Sequence, residues 1–274
     1  MITVYKKFFL MLGITVFLCL SAFIVWSADF EKGRIAYHKG NFATALREWI
    51  PLAEQGDTVT QFNIGIMYHY GRGVLQDYKT AVKWYKLSAE GGDKHAQNNM
   101  GSMYKEGKGV TQDYKTAVKW YRLSAEQGFS HAQVSLGFMY DNGYGVIQDY
   151  KTAVKWYKLA AEQGNNRAQF NLGVLYNKGQ GVLQDYKTAV KWFKLSAEQG
   201  TVDAQYNLGV MYSDGKGVIQ DNIYAHMWWN ISASNGQKDA AINRNIIEEK
   251  MTTSDISTAQ KLARECVEKG YKGC

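Results

Sequence analysis

Gln76-Asp77-Tyr78-Lys79-Thr80-Ala81-Val82-Lys83-Trp84 returns residue for residue from Gln112, Gln148 and Gln184, each copy 36 positions after the last. Gln220-Asp221 opens a further copy, and Asn41-Phe42-Ala43-Thr44-Ala45 is a diverged earlier one. A period of roughly 20–50 residues marks an array whose units bury their apolar faces on one another. Within a unit, Asp77 is suited to cap a helix running to about Glu90, which the glycine pair Gly91-Gly92 stops. A second helix is expected from about Asp93 to Glu106, with Gly107 and Gly109 supplying the positive-φ residues of the next turn. No stretch alternates as a strand would, so the fold class is all-α, a stack of two-helix units.

Composition agrees with a packed array. Of 274 residues, 46% are hydrophobic, 21% charged and only one is proline, which argues against disorder and against Pro-rich linkers. The formal charge of +7 is mild, its distribution decides what it means, and no nucleic-acid partner is expected of a chain that reads as exported. Three cysteines exclude a disulfide-dense scaffold and a cysteine-based zinc cluster.

Residues 1–28 read as an export segment. Lys6 and Lys7 precede an uncharged apolar stretch from Phe8 to Trp26, as in a secretory signal, and the stretch is nearly long enough to act as an uncleaved membrane anchor. Cys19 follows Leu18 rather than a small residue, which argues against lipidation. Either leader places the rest of the chain outside the cytoplasm, periplasmic or secreted, or held at the inner membrane. Residues 29–236 are then the repeat array, and 237–274 a C-terminal helical cap.

Ala204-Gln205-Tyr206-Asn207-Leu208-Gly209-Val210-Met211-Tyr212, followed by Gly215-Lys216-Gly217-Val218 and the Asp-Tyr-x-x-Ala-Val-x-Trp block, resembles the Sel1-like repeat, a relative of the tetratricopeptide repeat. The resemblance covers roughly residues 41–236. It implies a right-handed α-solenoid that binds a protein or peptide partner, with the Leu-Gly-x-x-Tyr helices lining its concave side. The loop position after Gly-Val, often proline in the family, is Leu75, Thr111, Ile147, Leu183 and Ile219, which puts only loop stiffness in question.

Helical projection separates framework from surface. Ala96, Met100, Met103 and Tyr104 share one side, with apolar counterparts in nearly every copy, and form the core. Gly65, Gly101, Gly137, Gly173 and Gly209 sit mid-helix, where glycine costs about 1 kcal/mol against alanine, so close helix approach is expected there. The opposite side carries Phe62, Asn98, Val134, Phe170 and Tyr206 at one repeat position and Ile66, Ser102, Phe138, Val174 and Val210 four residues on. These vary while the framework does not. They fit either an exposed binding groove or packing against the neighbouring unit. On the other helix, Lys83, Lys119, Lys155 and Lys191 run at the centre of a basic stripe. It reads as a solvated face or as a platform for an anionic surface.

Catalytic signals are weak. The Gly-x-Gly of each unit follows a helix and lacks the third glycine of a dinucleotide site. The five histidines show no metal-binding spacing, and no cofactor is expected. Ser102-Met103-Tyr104-Lys105 and Ser213-Asp214-Gly215-Lys216 match the Ser-x-x-Lys of penicillin-interactive enzymes, but Lys-Thr-Gly is missing. Cysteine-rich relatives are associated with β-lactams, so a weak β-lactamase-type hydrolase is the alternative to a non-catalytic scaffold. This chain lacks their cysteine pair per unit.

Thr252 and Asp255 suggest a capping box opening a final helix, whose apolar side ends at Cys266. Gly270 and Gly273 let the tail turn back, and export supplies an oxidising compartment, so a Cys266–Cys274 disulfide is expected. Two free thiols or an intermolecular bridge are the alternatives.

Overall fold

The computed structural model describes residues 28–274; the leader expected over 1–28, with Lys6, Lys7 and Cys19, lies outside the described residues except for Ala28. Fourteen helices and no strand are found among the described residues. The chain forms two compact units, one ending at Ala96 and the other spanning Gln97–Cys274. The first holds α1 (Phe30–His38), α2 (Phe42–Glu54), α3 (Thr58–Tyr70) and α4 (Tyr78–Glu90), and the boundary lies within α5 (Lys94–Glu106). The second continues with α6 (Tyr114–Glu126), α7 (Ser130–Asn142), α8 (Tyr150–Glu162), α9 (Asn166–Lys178) and α10 (Tyr186–Ala197). It ends with α11 (Val202–Asp214), α12 (Asn222–Ser234), α13 (Lys238–Glu248) and α14 (Thr253–Glu268).

The repeated Gln-Asp-Tyr-Lys-Thr string is a folding instruction for the turn between two helices. Asp113, Asp149 and Asp185 cap α6, α8 and α10, each accepting from backbone N–H groups of the first turn and, at 2.6 Å, from the hydroxyl of Thr116, Thr152 or Thr188. The preceding glutamine closes the loop from the other end. The side-chain amides of Gln112, Gln148, Gln184 and Gln220 donate to the carbonyls of Lys105, Asp141, Asn177 and Ser213 at 2.7–2.8 Å. Between them Gly107 (φ 69°) and Gly109 (φ 71°) take the left-handed backbone that reverses the chain, and their counterparts do the same. The loop therefore needs no proline. Leu75, Ile147, Leu183 and Ile219 stand 90–92% exposed at its tip.

Packing is by close helix approach. In the second unit a Cβ on Gly101 would lie 2.5 Å from the Tyr121 ring, on Gly137 2.7 Å from Tyr157, and on Gly173 2.5 Å from Phe193. Gly65 faces Tyr85 in the same way within the first unit, at 2.5 Å. Each aromatic is buried to within 1% of full exclusion, flanked by alanines such as Ala153, Ala161 and Ala168 and by Leu172. Trp156 and Trp192 lie half-buried against the core of the preceding repeat.

Polar links run from the surface to the buried glutamines of this interior. The Gln127, Gln163 and Gln199 amides donate to the side-chain carbonyls of Gln97, Gln133 and Gln169, each at 2.8 Å. Gln133, Gln169 and Gln205 in turn donate to the carbonyls of Ala125, Ala161 and Ala197. A buried amide without partners would cost ~1–3 kcal/mol, so these links fix one register of stacking.

The C-terminal end is anchored. Thr252 and Asp255 form the capping box of α14, and Cys266 and Cys274 are joined by a disulfide. The tail lies on α10, with the Lys194 ammonium donating to the Cys274 carbonyl at 3.1 Å. Buried His226 on α12 meets Glu248 of α13 at 2.7 Å.

Two predictions follow from this packing and capping. Gly173→Ala gains about 1 kcal/mol of helix propensity but overpacks Phe193 by 1–3 kcal/mol, so its urea midpoint falls, and adding Phe193→Leu restores part of the loss. The capping aspartates, above all through their threonine hydroxyls, are held below the ordinary value of 3.8. A depressed carboxylate contributes stability above that value and loses it as pH falls, so Thr116→Val with Thr152→Val moves acid unfolding, followed by circular dichroism, to higher pH.

Candidate functional site: the variable face of the Leu-Gly helices

Seven of the eight predicted groove residues are half-buried: Phe62, Ile66, Val134, Phe170, Val174, Tyr206 and Val210. Phe138 is 39% exposed. The two readings of these positions turn out to describe two edges of the same side chains. Phe170 sits 6.0 Å from the Phe193 ring, and Phe62 sits 5.9 Å from Tyr85, so one edge seals the seam between helices. Val134 packs on the cluster around Tyr157, and Tyr206 and Val210 on the cluster around Trp229. Val134 and Phe170 also line one cavity, and Val210 another.

The first cavity, of about 420 Å³, is walled by Val134, Phe138 and Phe170, with Lys105, Arg167 and Asp203 at its margin. The Lys105 ammonium lies 5.9 Å from the Phe138 ring centre. One turn beyond Phe138, the Asp141 carboxylate accepts from the Tyr157 hydroxyl at 3.4 Å, and burial pushes its pKa up.

The row also runs further than the sequence signature. Ile242 and Ile246 on α13 are 56% and 50% exposed, and they stand 36 positions after Tyr206 and Val210. A second cavity of about 240 Å³ is lined by Val210, Trp229, Asn243 and Ile246. These isoleucines were missed because α13 has lost the Leu-Gly pair and falls in the segment taken as cap. Adding the period to Ala204, Asn207 and Val210 reaches Ala240, Asn243 and Ile246, and that register was the available signal.

Lys83 in the first unit and Lys119, Lys155 and Lys191 in the second are all exposed, as the solvated face requires. Their neighbours are engaged. Arg122 donates to the Tyr140 hydroxyl at 2.7 Å, Lys158 lies 5.7 Å from the Tyr176 ring centre, and Lys86 pairs with Glu90 at 3.7 Å.

The Ser-x-x-Lys pattern does not assemble an activated nucleophile. The Ser102 hydroxyl lies 3.1 Å from that of Tyr121, whose pKa burial pushes up to about 12. Such a phenol stays protonated at neutral pH and accepts no proton from serine. Lys105 lies over the Phe138 ring, and Lys216 pairs with Asp214 at 2.9 Å. Among the described residues no cluster of histidine, cysteine or carboxylate fits a metal, and no helix is long and apolar enough to cross a membrane.

Stacked helix pairs with a repeated framework and a variable outer row define an α-solenoid of the repeat class. The Sel1 repeat family model matches residues 59–93, 94–129, 130–165, 166–201 and 202–237, and the chain belongs to that family. Its members are generally protein-interaction scaffolds. A protective antigen of uropathogenic Escherichia coli with this fold is 37% identical, with a TM-score of 0.78 over 88% of this chain and 53% of its own. This chain thus spans about half the length of that relative. A Sel1 repeat protein from Oxalobacter formigenes is 31% identical, with a TM-score of 0.76 over 86% of this chain and 99% of its own. No curated protein matched.

Exposure separates the row by expected effect. Phe138→Asp shifts the unfolding midpoint by less than about 0.5 kcal/mol, whereas Phe170→Asp, which buries a charge beside Phe193, costs at least 2 kcal/mol. Paired urea titrations read the difference.

Proposed function

We propose that this chain is an exported, non-catalytic scaffold that holds a protein or peptide segment along the variable face of its Leu-Gly helices. One observation carries the reading. Phe138, Ile242 and Ile246 are large, apolar and exposed in one repeat register, and two cavities open beside the row. Selection for packing alone would bury such side chains; an exposed apolar row flanked by cavities suits an extended partner.

Three further points support export and the absence of chemistry. The basic head and apolar stretch of residues 1–28 suit a secretory signal or an anchor, and the Cys266–Cys274 bond suits an oxidising compartment. The related protein of uropathogenic Escherichia coli is a protective antigen, which fits a chain outside the cytoplasm. Ser102 faces a protonated phenol, so the β-lactamase-type alternative lacks its base.

The test is site-specific photo-crosslinking in intact cells with benzoylphenylalanine in place of Phe138, Ile242 or Lys155. Positions 138 and 242 are expected to crosslink the same partner chain and position 155 none. Equal labelling from all three, or labelling from none, overturns the reading.

A further inference from the structure

We infer that the cavity between α7 and α9 selects a segment in which a carboxylate stands beside a large apolar side chain. This rests on the groove reading above and adds the chemistry of the partner. Val134, Phe138 and Phe170 offer the apolar group a wall on three sides, and the cavity of about 420 Å³ falls within the ~300–1,000 Å³ of ordinary ligand sites. Space alone admits many side chains. The charges at the rim narrow the choice.

Two cations and one acid line the margin: Lys105, Arg167 and Asp203. The acid is already occupied, because the Asp203 carboxylate accepts from the Gln237 amide at 3.3 Å. Asp141, one turn beyond Phe138, is tied to the Tyr157 hydroxyl, and burial raises its pKa, which weakens its claim on the rim cations. Arg167 has no evident use in the fold. It stands in the first turn of α9, where a cation opposes the positive end of the helix dipole. The same repeat position holds His95, His131 and Asp203, so the framework does not demand arginine there. Lys105, at the C-terminal end of α5, leans over the Phe138 ring and brings its ammonium to the edge of the apolar wall. Two cations against one acid beside an apolar pocket are complementary to an acid flanking an apolar anchor. The carboxylate can come from an aspartate or glutamate side chain or from a chain terminus.

The experiment is fluorescence anisotropy of the full chain with fluorescein-labelled ten-residue peptides in a Gly-Ser background. One amidated peptide carries a central Phe flanked by two Asp, one the same Phe flanked by two Lys, one Phe alone, and one ends in Phe with a free carboxylate. The acidic peptide is expected to bind about tenfold tighter than the basic one, the ratio that two part-exposed ion pairs produce. Lys105→Glu with Arg167→Glu should reverse that order, and the free-terminus peptide shows which carboxylate is read. Circular dichroism checks that the substitutions at half-buried Lys105 and exposed Arg167 leave the fold intact. Equal binding of the acidic and basic peptides, lost in Phe138→Asp, overturns the charge selection while the groove reading stands. Absence of binding by every peptide at millimolar concentration overturns the inference, and crosslinking from position 138 then judges the groove alone. Concentration-dependent self-association abolished by Phe138→Asp would also overturn it, by making a second copy the occupant.

Discussion

Everything in the array depends on a missing Cβ. The ring of Tyr157 passes so close to α7 that a methyl at Gly137 would stand 2.7 Å from it, and the same contact joins Gly101 to Tyr121 and Gly173 to Phe193. A mid-helix glycine costs about 1 kcal/mol of propensity. In exchange, a whole aromatic side chain is removed from water, a gain of ~1.5–3 kcal/mol or more, and the helices come near enough for alanines to fill the rest of the seam. The contact also explains the strict period. A ring that must meet a glycine on the neighbouring helix tolerates no insertion in the loop between them, which is why the glutamine clamp and the two left-handed glycines recur with it.

Local rules made much of this legible. Asp caps, glycine stops and a 36-residue register are interactions within a few residues of one another, and they locate helix ends to within a residue, as with Asp77 before α4 or Glu106 at the end of α5. The disulfide was legible for the same reason, since Cys266 and Cys274 are eight residues apart on a tail that glycines turn back. What escaped depends on neighbours more than 20 residues away. Gln97 looks like an ordinary polar residue until Gln127 donates to it. Phe170 looks like either surface or core because it is both, one edge against Phe193 and one lining a cavity. Projection onto a single helix assigns each residue one direction and cannot represent a side chain shared between a seam and a groove.

The end of the array shows where pattern and physics part. Ile242 and Ile246 keep the register of Tyr206 and Val210 although the Leu-Gly signature around them has gone. The signature can go because the glycine contact joins each Leu-Gly helix to the helix after it, as Gly209 on α11 meets Trp229 on α12, and the helix after α13, α14, packs on α12 around Trp228 and Ile231 instead. α13 is held to α12 by the buried His226 on Glu248, with Arg244 3.8 Å from the same carboxylate. Large apolar side chains at half exposure remain where the packing motif has gone, which is what the proposed groove would require.

Division of labour of this kind suits recognition more than catalysis. Each repeat contacts chiefly its neighbours, so the stability of the array is close to a sum of local terms. A substitution at Phe138 or Ile246 alters the outer face without disturbing the glycine–aromatic seam beneath it. A catalytic site asks for the opposite: a few groups from distant positions held within about half an ångström and pushed to matched pKa values. Here the perturbed groups point away from such a role, since Tyr121 is pushed up by burial beside a serine it cannot activate and Asp141 by burial beside a tyrosine that donates to it. The 36-residue unit supplies instead a rigid rear face and a front face free to change from copy to copy. That combination suits the proposed recognition of an extended partner.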